Sequence, residues 1–427
     1  MSQIPGAVDF AALADTVGHP DRERFDVQAW RPPPSVRTAL DLPESLWVVS
    51  DPRPALGALP ADHVMGVGGA SLSLATITPR EAVTTALDLG SGSGIQSLLL
   101  GYHADRVVAI DVNPRALWCT ALTCALNGRP IPELVLGSWL EPFGAGEFDL
   151  VVADPPFVMA PARRHVYRDS SDPGDALTGR LVAEIARVLR PGGSMVMLTS
   201  WLVPAQADWS ARVLDWAGSD WQTFWAAQRE EVPPSEYVDL WLLDSGEDDD
   251  AELRQRWLGH LADLGAAAVG FGWLVGVKAS TPRQPAMWAE EVVSARELPD
   301  GRQVAAELAR RQALPAAAQV LGGTVRLAAG VHLTAIDVAG HDPAADALLL
   351  SSEASWRGPL PLDPAMSWLA SRVSADLGGT LAEELPLCAE DTGWDVADVV
   401  VSWLSGVRDL LGAGFATLDG RTDPARQ

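Results

Sequence analysis

Lysine is almost absent from these 427 residues: Lys278 stands alone, so nearly all positive charge is carried by arginine. Cysteine is scarce as well. Cys119, Cys124 and Cys388 are too few for a disulfide framework and show no paired metal-ligand spacing, which excludes a disulfide-stapled scaffold and predicts buried thiols in a reducing compartment. Basic residues as a class are outnumbered, 31 against 56 acidic ones, for a formal net charge of −25. Such a field repels a phosphate backbone unless the cations are gathered into one patch, so an RNA or DNA substrate starts at a disadvantage. Long apolar runs are missing too: the longest, near Met195–Val203 and Ala266–Val277, fall short of the roughly 18 residues that span a bilayer. No basic segment leads into an apolar stretch at the N-terminus, which argues against a secretion signal. A soluble cytoplasmic protein is the expectation.

Core-forming residues are plentiful. Hydrophobic residues make up 48% and charged ones 20%, with 38 Gly and 32 Pro for turns, and a prior of about 150 residues per domain allows two or three domains. Residues 1–79 contain a Pro-rich break at Arg31–Pro34, a probable strand Leu46–Ser50 and a Gly-rich stretch His63–Ser71, which reads as a small N-terminal element. From 80 to 280, β-rich runs at Thr85–Leu89, Arg106–Ile110, Glu133–Leu136, Phe148–Ala153 and Ser194–Ser200 alternate with helical patterns at Ile95–Gly101, Pro114–Asn127 and Ala176–Leu189. Thr223–Ala227 and Ala267–Val277 supply further strands. This alternation predicts an α/β fold, a doubly wound, mostly parallel Rossmann-like sheet. The Pro-containing stretch Ser280–Ala286 marks a boundary. Beyond it, residues 285–427 read as a C-terminal α+β, winged-helix-like domain, with strands at Gly323–Leu327 and Val331–Val338, helices at Pro364–Ser374, Thr380–Cys388 and Val396–Leu411, and a closing strand Gly414–Leu418.

The sharpest local signal is Asp88–Leu89–Gly90–Ser91–Gly92–Ser93–Gly94, a strand running into a glycine turn that opens a helix. Glycines let a ligand approach the backbone, and N–H groups at the helix start hold a carboxylate or phosphate. The next strand ends in Asp111, where an acidic side chain accepts hydrogen bonds from ribose hydroxyls. At the end of the fourth strand stands Asp154–Pro155–Pro156–Phe157. Two prolines remove two backbone donors and stiffen the loop, so Asp154 and the Pro155 carbonyl form a fixed pair of acceptors beside an aromatic face. A nitrogen held by two N–H bonds there points its lone pair at an electrophile. After Phe157 comes a short basic and aromatic loop, Arg163–Asp169, fit either to receive an acidic peptide or to lie solvated.

With these motifs in this order, residues 80–280 resemble a class I S-adenosylmethionine-dependent methyltransferase. Asp154–Phe157 is similar to the (Asn/Asp)-Pro-Pro-aromatic signature of amino-methyltransferases, which act on adenine N6, guanine N2 or a glutamine amide. The surroundings are similar to the HemK-like, "methyltransferase small" group of high-GC bacteria. This chain departs from that group in carrying Asp rather than Asn at 154 and in a shorter N-terminal region. The resemblance implies S-adenosyl-L-methionine as cofactor, with Asp88, Gly90, Ser91, Gly92 and Gly94 around its methionine end, Asp111 on the ribose, Ser138 near the adenine and Gly66–Ser71 covering the methionine end. It implies Asp154, Pro155 and Phe157 as the catalytic set and N-methylation of a peptide or protein as the activity. The acceptors it offers are a release-factor glutamine or, from a more distant peptide-tailoring group, the terminal amine of a daptide-type ribosomal peptide. The alternative is an exocyclic amine of RNA or DNA. The acidic C-terminal region, lacking a basic stripe, points to polypeptide recognition.

Overall fold

The computed structural model describes residues 14–15, 25–52, 59–170, 172–281, 285–292, 298–336, 347–353, 355–374 and 379–420. The chain divides near residue 293 into two compact units.

In the first unit, β1 (Asp26–Trp30) and β2 (Leu46–Ser50) form an antiparallel pair bridged by α1 (Pro34–Leu40), and α2 (Gly69–Ile77) follows. The main sheet has the order β10-β8-β9-β7-β6-β3-β4-β5. Its strands are β3 (Val83–Leu89), β4 (Ala104–Asp111), β5 (Glu133–Leu136), β6 (Phe148–Ala153), β7 (Leu189–Pro204), β8 (Trp221–Val232), β9 (Ala266–Lys278) and β10 (Ala286–Glu291). From β5 to β7 neighbours run parallel, and β9 is antiparallel to both β7 and β8. Crossover helices α3 (Ile95–Leu100), α4 (Pro114–Leu126) and α5 (Ala176–Val188) connect the parallel strands, and α6 (Trp209–Asp215), α7 (Pro234–Ser245) and α8 (Ala251–Asp263) accompany the antiparallel end. The parallel strands are buried on both faces, so they read as apolar runs rather than alternating ones. Leu87, Leu89, Val108, Ile110, Val151 and Met195 meet Leu181, Val182 and Ile185 of α5 in one core.

The expected doubly wound sheet is therefore present, and the order reverses at β3, whose neighbours are β4 on one side and β6 on the other. Ligands of such sheets bind where two crossovers diverge, outside the carboxyl ends of those strands. Two expected boundaries move. The break at 280–285 falls too early, because β10 pairs in parallel with β8 from Ala286 to Glu291 and extends the main sheet. Nor is the N-terminal region a separate element: Val36, Leu46 and Val48 share a core with Ile95, Leu98 and Leu99 of α3. Proline punctuation marked a turn between strands there, not the end of a domain.

The second unit is α+β. It contains α9 (Gly301–Gln312, all but its first residues), α10 (Ala317–Leu321), β11 (Gly323–Leu327), β12 (Val331–Ile336), β13 (Ala347–Ser352), β14 (Leu360–Pro361), α11 (Pro364–Ser374), α12 (Leu381–Thr392), α13 (Val396–Ala413) and β15 (Ala416–Gly420). Helices followed by a strand match expectation, with that strand returning to pair with β11. The end of the expected strand Val331–Val338 lies outside the described residues. Trp403 is fully buried among Met366, Leu385 and Phe415, giving this unit its own core. Among the described residues, no helix is long and apolar enough to cross a membrane.

Candidate functional site

At the carboxyl end of β3 the chain makes three left-handed residues in five, Gly90 (φ 80°), Gly92 (φ 51°) and Gly94 (φ 80°). Only glycine adopts this region routinely. At Gly94 space forbids anything else as well, since a Cβ would lie 2.5 Å from the Thr120 Cα of α4. A Cβ on Gly90 would press to 3.3 Å of the Asp154 carbonyl oxygen, so the β3 turn and the end of β6 are in close approach.

Asp88 is buried, and its Oδ2 accepts from both the Ser97 amide (2.8 Å) and the Ser97 hydroxyl (2.6 Å). It ties the glycine turn to the first turn of α3. Removal from water pushes its pKa up to about 7 even against those two bonds. Asp111, ending β4, accepts from the Gly92 amide at 3.1 Å and the Asn113 amide at 2.9 Å. Burial raises its pKa, and the neighbouring amides oppose the shift. Two amides fill only part of a carboxylate's acceptor capacity, which leaves lone pairs for a ligand. Asn113 then caps α4 through the Arg115 amide (3.0 Å) and sends its Nδ2 to the Asp62 carbonyl (2.8 Å).

Asp154 follows β6. Its carboxylate makes no hydrogen bond or ion pair with any described residue, and it lines the cavity. Burial first, and the nearby Asp88 charge second, push its pKa up to about 7. Phe157 beside it meets Trp241 and Phe271 edge-on, each at 6.2 Å between centroids. The Ser200 hydroxyl of β7 donates to the Phe157 carbonyl (2.9 Å), and the Tyr237 hydroxyl accepts from the Met159 amide (2.8 Å). The loop after the motif is thus fastened to β7 and α7.

One cavity of about 680 Å³ joins these parts, within the range of small-molecule sites. Of the expected residues, Gly90, Ser91, Gly92, Asp111, Ser138, Asp154, Pro155 and Phe157 line it. Asp88 and Gly94 do not. Asp88 bonds Ser97 through Oδ2, and Gly94 lies against Thr120 of α4. The segment Gly66–Ser71 also contributes to the wall, and it is anchored at its start by Asp51. The Asp51 amide donates to the Val64 carbonyl (2.9 Å), the Val64 amide donates to Asp51 Oδ2 (3.0 Å), and Arg115 Nε donates to Oδ1 (2.6 Å).

Several wall residues carried no sequence signal. Gln96, on α3, sends Nε2 to the Ser71 carbonyl (2.9 Å), while its buried Oε1 has no partner. Trp139 holds φ 52°, an unusual backbone for a bulky residue and a mark of constraint at a site. Trp241 and Asp244 come from α7, and Tyr167 and Arg168 from the basic loop. That loop was open to two readings, and the structure divides it. His165, Arg168 and Asp169 are buried, with Asp169 Oδ2 accepting from the amides of Arg164 and His165 (2.8 Å each), while Arg163 is exposed at the cavity.

Residues 66–208 match the methyltransferase small domain family. This segment holds the glycine turn, Asp111 and the Asp154–Phe157 loop, so the domain match coincides with the cavity. Among curated relatives, the chain is 35% identical over 133 residues to the release factor glutamine methyltransferase of Caulobacter vibrioides, covering 27% of this chain and 45% of that protein. It is 33% identical over 114 residues to the ribosomal protein uL3 glutamine methyltransferase of Bradyrhizobium diazoefficiens, covering 26% and 34%. Similarity to the tRNA1(Val) (adenine(37)-N6)-methyltransferase of Aeromonas hydrophila is 28% over 153 residues, covering 32% and 61%. The chain thus spans less than two thirds of the length of each of these relatives.

Proposed function

We propose that this chain is an S-adenosylmethionine-dependent N-methyltransferase acting on an amine or amide nitrogen of a peptide or protein. The observation that carries it is the placement of Asp154, with no partner of its own, against the glycine turn at the switch point of the sheet. The cavity walls suit the cofactor: Asp111 retains acceptor capacity for the ribose, the glycine turn leaves room for the backbone to approach, and the orphaned Gln96 Oε1 offers an acceptor for the methionine ammonium. Ser138 falls at the adenine end.

The cofactor, when bound, supplies a methyl group on a positively charged sulfur. The protein's part is alignment of the acceptor with that methyl and control of a proton. Asp154 and the Pro155 carbonyl accept the two N–H bonds of the acceptor, and Phe157 packs beside it. With its pKa near 7, Asp154 is able to take a proton from an alkylammonium, freeing the lone pair that attacks the methyl carbon. For an amide acceptor the same carboxylate orients the nitrogen and takes up the N–H proton displaced by the methyl group. Similarity to two glutamine methyltransferases supports an amide, and Asp at 154 admits an amine as well.

The second unit we assign to polypeptide recognition. Its described arginines are all engaged: Arg311 and Arg357 with Glu307, Arg326 with Asp419, Arg372 with Glu384, and Arg310 and Arg408 with the Gly412 and Pro315 carbonyls. Little free cation remains for phosphates. The cytoplasmic location expected from free, buried cysteines belongs to this same reading.

A second reading, methylation of an exocyclic amine of RNA, is favoured by the similarity to the tRNA adenine methyltransferase. Transfer of labelled methyl to bacterial protein and RNA fractions, wild type against Asp154→Ala, tests both. Label in the protein fraction that Asp154→Ala abolishes supports the proposal, whereas label confined to RNA overturns it in favour of the second reading.

A further inference from the structure

The cations around the acceptor end of the cavity are spent, with one exception. Arg168 is buried and donates to the Trp241 carbonyl (2.7 Å), to Asp244 (3.2 Å) and to Asp169 (3.2 Å). Arg164 pairs with Glu247. Arg163 lines the cavity, is exposed, and has no carboxylate, carbonyl or aromatic partner among the described residues. It is the free cation of the wall, in a chain whose net charge is −25.

The backbone on either side of Arg163 is fastened. The loop that carries it is closed at the base, where the Val158 amide donates to the Arg168 carbonyl (2.7 Å) and the Ser170 amide to the Val158 carbonyl (2.9 Å). The Val166 amide binds the Ala61 carbonyl (3.0 Å), and Asp169 holds the amides of Arg164 and His165 from inside. An exposed guanidinium in the wall of this cavity, a few residues beyond Phe157, is placed to meet an anion entering with the acceptor. The same cavity takes Trp241 and Asp244 of α7 into its wall. A single unpaired cation in a wall that also holds the apolar side chains of Phe157 and Trp241 suits a polypeptide better than a phosphate backbone, which is gripped by several cations at once.

Resting on the peptide reading above, we propose that Arg163 is a specificity residue that pairs with a carboxylate of the substrate polypeptide lying within a few residues of the methylated nitrogen. That carboxylate is either an Asp or Glu side chain or the chain's own C-terminus.

The test uses the full-length protein loaded with S-adenosylhomocysteine and fluorescent heptapeptide pools of four kinds. Three are C-terminally amidated and carry acidic, neutral or basic residues beside a central glutamine; the fourth is neutral with a free C-terminal carboxylate. Anisotropy should show the acidic pool or the free-carboxylate pool binding wild type at least tenfold more tightly than the amidated neutral pool, and which of the two does so identifies the source. Arg163→Gln should erase the preference, and Arg163→Glu should transfer it to the basic pool. Titration of S-adenosylhomocysteine reports that each variant is folded. Equal preference in wild type and Arg163→Gln overturns the proposal. Binding of every peptide pool with equal weakness, alongside salt-sensitive binding of an RNA oligonucleotide that Arg163→Gln weakens, overturns it too, and methyl transfer to protein fractions then tells whether the peptide reading fails with it.

Discussion

At the glycine-turn end of the cavity the wall is backbone and short side chains from consecutive strand–turn–helix units, with Asp111 bonded to the Gly92 amide and Gly94 packed on Thr120. At the Asp154 end it is assembled from segments far apart in the chain: the β6 loop, the Arg163–Asp169 loop and Trp241 and Asp244 of α7. The first end tolerates almost no change of shape, since its close approaches are made to backbone atoms, the Gly92 amide and the Thr120 Cα. The second is built of side chains whose identities can vary without moving the sheet. On the function proposed above, the first is the constant end, which takes the cofactor, and the second the variable end, which takes the acceptor.

The largest effect should come at the variable end. Asp154→Ala is expected to lower turnover by about 10²–10⁴-fold, the usual worth of a positioned proton acceptor, while the affinity for S-adenosylhomocysteine stays within about twofold by calorimetry. A parallel loss of cofactor affinity would show that the two ends are not separable. At the constant end, Gly94→Ala combines a strained left-handed backbone with a collision against Thr120, at a cost of about 2–4 kcal/mol. Chemical denaturation should show that loss in the absence of any ligand, and wild-type stability would contradict the packing described for α3 and α4.

Asp111→Ala is a smaller change at the same end. It removes hydrogen bonds to a charged group worth about 1.5–3 kcal/mol, so cofactor affinity should fall about tenfold to a hundredfold; unchanged affinity in a folded variant would remove Asp111 from the site. The smallest effect is the pH dependence of Asp154. Its pKa is raised to about 7 from an ordinary value of 3.8, so between those values the folded protein binds more proton than the unfolded chain. The associated stability is present at low pH and is lost as pH rises through 7. Unfolding free energies measured between pH 5 and pH 8 should therefore fall more in wild type than in Asp154→Asn. With an alkylamine acceptor, turnover of wild type should rise over the same range and level off above pH 7, while Asp154→Asn should be less active and recover only as higher pH deprotonates the amine itself; identical profiles would leave the carboxylate with orientation alone.

Much of the first unit was legible because parallel strands buried on both faces are written as short apolar runs. Phe148–Ala153 and Glu133–Leu136 were read to the residue, and β2 likewise. Strand β10 escaped, since a six-residue edge strand among prolines has neither apolar continuity nor alternation to announce it. Helix α7 escaped for a related reason: its Pro233–Pro234 start reads as a turn, although proline at the first helical position is itself a start signal. In the second unit β13 and β14 were missed, and the sheet they form, in which β13 pairs with β12 on one side and β14 on the other, draws its partners from separate stretches of the chain.

The sequence by itself determined the doubly wound sheet, the glycine turn, Asp111 and the Asp154–Pro155–Pro156–Phe157 loop, because each depends on residues adjacent in the chain: apolar periodicity, left-handed glycines, and prolines that stiffen two successive positions. Only the tertiary structure decided that Asp88 bonds Ser97, that Gly94 makes room for α4, and that Gln96, Trp241 and Asp244 share a wall with Asp154. It also separated Arg168, consumed by Asp169 and Asp244, from Arg163, left facing the mouth. The physical reason is that a side chain's role follows from which partners satisfy its charge and hydrogen bonds, and those partners are brought to it by folding across distances in the chain that no local pattern records.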